Sequence, residues 1–104
     1  DGDSLIRTLD TNPMRLEIRP VEALALNQVS IRIGGTASTV TIRLIPADGS
    51  AEQVLVKQAP ESNDLRDIVF TLDKSVMVEQ INIEILNLHD GERAHVHLWE
   101  VSLN

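Results

Sequence analysis

The chain has 104 residues, 42% of them hydrophobic, and 9 basic against 16 acidic side chains give it a formal charge of −7. A second core would leave each half too small to bury enough apolar surface without disulfides or metals, so one domain spanning residues 1–104 is expected. The basic residues are scattered singly and no apolar run reaches roughly 18 residues, which excludes a phosphate-backbone footprint and a membrane-spanning helix. Neither nucleic acid nor membrane insertion is therefore expected. The absence of cysteine removes thiol nucleophiles and Cys-ligated zinc but leaves the compartment open. A start at Asp1, without Met or a signal-like segment, reads as a domain excised from a larger protein.

In chain order, short runs with every second residue apolar recur between Gly, Pro, Asn, Asp and Ser clusters. Leu16 and Ile18 alternate with Arg15, Glu17 and Arg19. Residues 21–26 favour helix by propensity but are too few to hold one, so they are read as a loop or single turn. Val29, Ile31 and Ile33 alternate with Ser30 and Arg32 and stop at Gly34-Gly35. Val40, Ile42 and Leu44 face one way and Thr39, Thr41 and Arg43 the other, and Ala47-Asp48-Gly49-Ser50 turns the chain into residues 53–57 as a hairpin.

A polar surface loop over residues 58–66 carries Pro60, Ser62, Asn63 and Asp64. Ile68, Phe70 and Leu72 form the next inward set, and Ile81, Ile83 and Ile85 another. His89-Asp90-Gly91-Glu92 turns into a last strand that runs from Ala94 to Leu103. The pattern predicts an all-β antiparallel sandwich of about eight strands.

Candidate chemistry gathers near the C-terminus. His89, His95 and His97 are all the histidines of the chain. On a continuous strand His95 and His97 share a face, where both can reach one Zn²⁺ at about 2.0–2.1 Å with His89 or Asp90 joining from the turn; the alternative is a solvent-facing pair. By the same parity Glu100 points away from that face, which removes the general base a zinc hydrolase needs. Trp99 either fills the core or stacks on a sugar ring beside the two imidazoles. Phe70 and Trp99 are the only aromatics, too few for the stacking platforms worth about 1–3 kcal/mol per nucleic-acid base. No Gly-x-Ser-x-Gly elbow and no Gly-rich phosphate loop occurs, so the chain is not expected to be an enzyme.

Read as an ordered series, these pieces resemble the galactose-binding-like superfamily, the jelly-roll sandwiches that include discoidin or coagulation-factor type C domains and many carbohydrate-binding modules. Asp1-Gly2-Asp3 looks like its Asp-Gly-Asp/Asn loop, and Asn12-Pro13-Met14-Arg15-Leu16-Glu17-Ile18 like the strand that follows. Val29-Ser30-Ile31-Arg32-Ile33, the hairpin through Ala47-Asp48-Gly49, the run around Ile83 and Leu98-Trp99-Glu100-Val101 match later strands in order. The usual Trp after the first loop is absent, with Leu5, Ile6 and Leu9 in its region.

The resemblance implies a structural Ca²⁺ held by Asp1, Asp3 and Glu100, since a hard cation takes roughly six to eight oxygens. The alternative is a solvated terminus and a solvated strand residue. It also implies a non-catalytic carbohydrate- or ligand-binding module of a larger exported protein, found extracellularly, on the cell surface or in the periplasm. Its partners would be a glycan or other polar ligand and the neighbouring domains of that protein. The ligand would sit on loops at one end of the sandwich, in segments 8–12, 34–38 and 89–93. There His89, Asp90 and Arg93 combine an imidazole, a carboxylate and a guanidinium that can meet sugar hydroxyls from several directions, with Trp99 alongside. The competing reading is a structural or protein-interaction sandwich without a small ligand, which a broad apolar sheet face would favour.

Overall fold

The structure is a computed structural model that describes residues 4–8, 14–34, 37–88 and 98–104, with the backbone alone for 4–8, 98 and 99. Seven strands and no helix occur among them: β1 (Ser4–Thr8), β2 (Met14–Pro20), β3 (Leu24–Ile33), β4 (Ser38–Pro46), β5 (Gln53–Ala59), β6 (Arg66–Asn87) and β7 (Leu98–Leu103). Every pairing is antiparallel.

The 22-residue β6 organises the fold. Its first half pairs with β3, which pairs in turn with β7, while its second half lies between β2 and β4, with β1 and β5 as the outer neighbours of those two. Phe70 and Val78 are buried in the first half and Ile81, Ile83 and Ile85 in the second, all within one core. Both halves can turn their apolar faces into one core only if they belong to opposed layers, β1-β2-β6-β4-β5 and β6-β3-β7.

The inward positions of β6 change from even to odd between Val78 and Ile81, which an unbroken strand cannot do. The switch is a β-bulge: Ile45 faces Gln80 and Pro46 faces Val78, so Glu79 has no partner in β4. In β3 the same change separates Leu26 from Val29, Ile31 and Ile33. There the Asn104 carbonyl accepts hydrogen bonds from the N–H groups of both Asn27 and Gln28, at 2.6 and 2.9 Å, and Asn104 donates its own N–H to the Gln28 carbonyl.

Most of the expected strands form with the expected faces. Two differences have physical causes. The runs around Phe70 and Ile83 were expected as separate strands but form one, because residues 72–75 bulge from the β3 ladder without ending β6. In residues 21–26, expected as a loop or turn, Leu24 already begins β3; Leu24 faces Val78 and Leu26 faces Val76, so tertiary pairing overrides local propensity.

The hairpin between β4 and β5 runs in register from Ser38↔Ala59 to Leu44↔Gln53. In its turn Asp48 accepts hydrogen bonds from the N–H and hydroxyl of Ser50, and Gly49 takes φ +81°. The hydrogen bonds from Ser50 hold the Asp48 carboxyl below the ordinary carboxylate range. From β5, the exposed Lys57 donates to the Val69 carbonyl, with its ammonium 5.6 Å from the centre of the Phe70 ring.

Two substitutions test this packing. Ile83→Ala, at a side chain 1% exposed, is expected to cost about 2–5 kcal/mol in urea unfolding, against about 0.5 kcal/mol or less for the outward Val56→Thr. At Gly49 an added Cβ meets no atom within 4 Å, so Gly49→Ala is expected to cost about 1–2 kcal/mol through backbone strain alone.

Candidate functional site

Strand register determines which connections meet. Met14 pairs with Ile85, Leu16 with Thr8, and Ser38 with both Asn87 and Ala59. The starts of β2 and β4 and the ends of β1, β5 and β6 therefore share one end of the larger layer. In the smaller layer Ile33 pairs with Arg66 and Leu98, which brings together the end of β3 and the starts of β6 and β7.

Arg66 ties these two sets of strand ends together. Its guanidinium donates to the Gly34 carbonyl at 2.7 Å and to the Pro60 carbonyl, and the Leu88 N–H donates to the Ala37 carbonyl at 2.9 Å. Of the segments expected to bind ligand, Thr8, Gly34, Ala37 and Ser38 lie at this end, while residues 9–12, 35–36 and 89–93 lie outside the described residues. At this end Ser38 and Asn87 are buried as a cross-strand pair, polar groups beside an otherwise apolar core. Arg66, expected only as the edge of a surface loop, is the residue that sequence reasoning missed; nothing in the alternation distinguishes it from a solvated arginine.

His89, Asp90 and Arg93 lie outside the described residues, as do His95, His97, Asp1 and Asp3. Trp99 is placed by its backbone. Arg32 faces Glu100 and Ile33 faces Leu98, which leaves Trp99 as the extra residue of a bulge in β7. Side-chain parity therefore changes between Leu98 and Glu100.

Glu100 itself is exposed on the outer face of β7. Its carboxylate lies 3.7 Å from the Arg32 guanidinium and accepts a 3.4 Å hydrogen bond from the Ser102 hydroxyl. Arg32 also donates from Nε and Nη2 to the two carboxylate oxygens of Asp67, at 2.9 and 3.3 Å. Among the described residues, then, the Arg32 guanidinium lies between the carboxylates of Asp67 and Glu100.

The hydrogen bond from Arg32, then its charge, lowers the Asp67 pKa, and the same hydrogen bond raises that of Arg32. A carboxyl lowered in the folded state stabilises fully above its unfolded value of about 3.9 and loses that contribution as pH falls through the folded value. Asp67→Asn is therefore expected to lower the melting temperature at neutral pH, with the difference from wild type shrinking below about pH 4 in a pH series of thermal melts.

A concavity of about 470 Å³ opens on the outer face of the larger layer over β2, β6 and β4, where Arg15, Glu17, Thr41, Arg43, Asn82 and Glu84 line it.

No protein-family model matches the sequence, and no curated protein is significantly similar to it. Solved structures are similar in fold. The family 32 carbohydrate-binding module of C. perfringens NanJ, determined in complex with galactose, superimposes with a TM-score of 0.64 at 17% identity, over 90% of this chain and 68% of that one. The family 32 module of Streptococcus pneumoniae EndoD gives 0.62 at 11% identity, over 95% and 74%. Chitosan-binding module 1 of a chitosanase/glucanase from Paenibacillus sp. IK-5 gives 0.58 at 11%, over 97% and 75%. Set beside the strand order and the two layers, these superpositions show that the chain has the galactose-binding-like β-sandwich fold of such modules.

Proposed function

We propose that the protein is a non-catalytic carbohydrate-binding module that holds a glycan at the loop end of the sandwich. The observation that carries this reading is the superposition of nearly the whole chain on solved carbohydrate-binding modules, one of them with galactose bound. Fold alone does not fix function, so the site must supply the rest. Its support is a single end of the molecule where the strand ends at Thr8, Ile33, Ser38 and Asn87 gather, with Ser38 and Asn87 buried.

In this proposal His89, Asp90 and Arg93 supply the hydrogen bonds, and Trp99 is the one aromatic of the last strand available to a sugar ring. Arg66 is a positioning residue: by bonding the Gly34 and Pro60 carbonyls it holds two neighbouring loops at a fixed distance. With one aromatic at most, affinity rests on polar contacts that compete with water, and binding is correspondingly modest. We place the module in a larger protein at the cell surface or outside the cell, where glycans are met.

The polar middle of the larger layer's outer face favours this reading over a purely structural sandwich. Arginine, glutamate, asparagine and threonine occupy the middle of the larger layer's outer face, and Val54 and Val56 are exposed along its β5 margin.

Titration of isotope-labelled protein with galactose and N-acetylglucosamine, followed by NMR, tests the proposal. Amide shifts are expected to concentrate at residues 34, 37, 38, 87 and 88, and Asp90→Ala or Arg93→Ala is expected to weaken binding at least tenfold, about 1.4 kcal/mol. Shifts absent from this end with every sugar in a glycan array would remove the loop site.

A further inference from the structure

We propose that the outer face of the larger layer is a second saccharide-binding surface, a trough that takes an internal stretch of a neutral oligosaccharide. The inference shares the glycan-binding reading above but concerns a different face of the molecule.

The trough follows from the heights of side chains in neighbouring strands. Register sets Arg15, Glu84 and Thr41 in one row across β2, β6 and β4, and Glu17, Asn82 and Arg43 in the next. Within these rows Thr41 and Asn82 are the short side chains, set beside the longer Arg15, Glu17, Arg43 and Glu84. Leu16 and Ile83 also line the concavity although their side chains are 3% and 1% exposed, so the trough reaches down to the backbone of β2 and β6. Its volume, about 470 Å³, falls within the range of roughly 300–1,000 Å³ typical of ligand-holding clefts.

The chemistry of the walls selects the ligand class. Arg15 donates to Glu84 at 3.0 Å, Arg19 donates to Glu17 from Nη2 at 2.6 Å, and Arg43 lies 3.7 Å from Glu52. Gln80 donates its amide to both Glu17 and Asn82, at 2.9 and 2.8 Å, fixing that carboxylate and that amide in place. Each charge thus has an opposite partner, and the trough presents no net field to attract a polyanion or a polycation.

What it does present is a close alternation of donors and acceptors: guanidinium N–H groups, carboxylate oxygens and both ends of an asparagine amide. Strands about 4.8 Å apart and alternate residues about 6.6–6.8 Å apart repeat that alternation on the scale of successive sugar rings. A hydroxyl both donates and accepts, so a neutral saccharide chain can bond to the partnered charges without breaking the pairs. None of the residues lining the trough is aromatic, so its hold is hydrogen bonding along an extended ligand, and a monosaccharide gains too little to stay.

The experiment compares short and long ligands on the intact protein by amide chemical shifts. The probes are galactose and N-acetylglucosamine, and the tetraose and hexaose of β-1,4-linked galactose, glucose and N-acetylglucosamine. Expected is an oligomer whose addition moves the amides of residues 15–17, 41–43 and 82–84, with a response at least tenfold weaker for its monomer. Asn82→Ala and Arg43→Gln should each weaken that response severalfold and leave shifts at the loop end unchanged. Thermal melts of the two variants identify any loss that comes from unfolding. Shifts confined to the loop end overturn the trough and leave the proposed function standing. Shifts confined to the trough support it and remove the loop site. Silence at both faces with every probe removes both readings.

Discussion

The architecture depends on one constraint: β6 must bury an apolar face in both layers although it is a single strand. A strand without interruption presents alternate residues to one side along its whole length. Phe70 and Val78 would then share a face with Gln80 and Asn82, and the three isoleucines that follow would point to water. One additional residue, Glu79, shifts the count and returns Ile81, Ile83 and Ile85 to the interior. The bulge at Asn27 and Gln28 does the same for β3 against the carbonyl of Asn104. The two layers close over one core because these irregularities are built into the strands that face each other.

This explains which parts of the fold were legible in the sequence. Where a strand is regular, as in β2 and β4, alternation identifies both its existence and its inward face, and Leu16, Ile18, Val40, Ile42 and Leu44 are buried accordingly. A bulge has no local composition that sets it apart. Glu79, Asn27 and Trp99 are ordinary residues in their surroundings, and only the partner strand shows that each lacks a matching position or shares one. The start of β3 at Leu24 was hidden for the same reason, since its strand character comes from Val76 and Val78, some fifty residues away in the chain.

The candidate sites differ in legibility too. The loop end could be anticipated from turn residues and from the series of strands that resembles a known superfamily, because both depend on chain order. The outer trough could not be located that way. Arg15, Glu17, Arg43, Asn82 and Glu84 were recognisable as outward-facing, yet whether five polar residues form a flat surface or a hollow depends on which strands become neighbours and on side-chain height across them. Arg66 was concealed differently: its role lies in the carbonyls of Gly34 and Pro60, and main-chain acceptors carry no sequence signature.

Lys57 gives the sandwich an unusual flank. Edge strands commonly turn a lysine outward to repel a second sheet, whereas here the cation of β5 reaches to the Val69 carbonyl and the Phe70 ring. The seam between β5 and the first half of β6, which share no ladder, is thereby latched in part by that ammonium group. Such a latch yields to any event that neutralises or enlarges that nitrogen. Acetylation removes the charge that bridges the two layers there while leaving every strand pairing within each layer intact, so covalent chemistry at that lysine would loosen one flank of the sandwich without dissolving it.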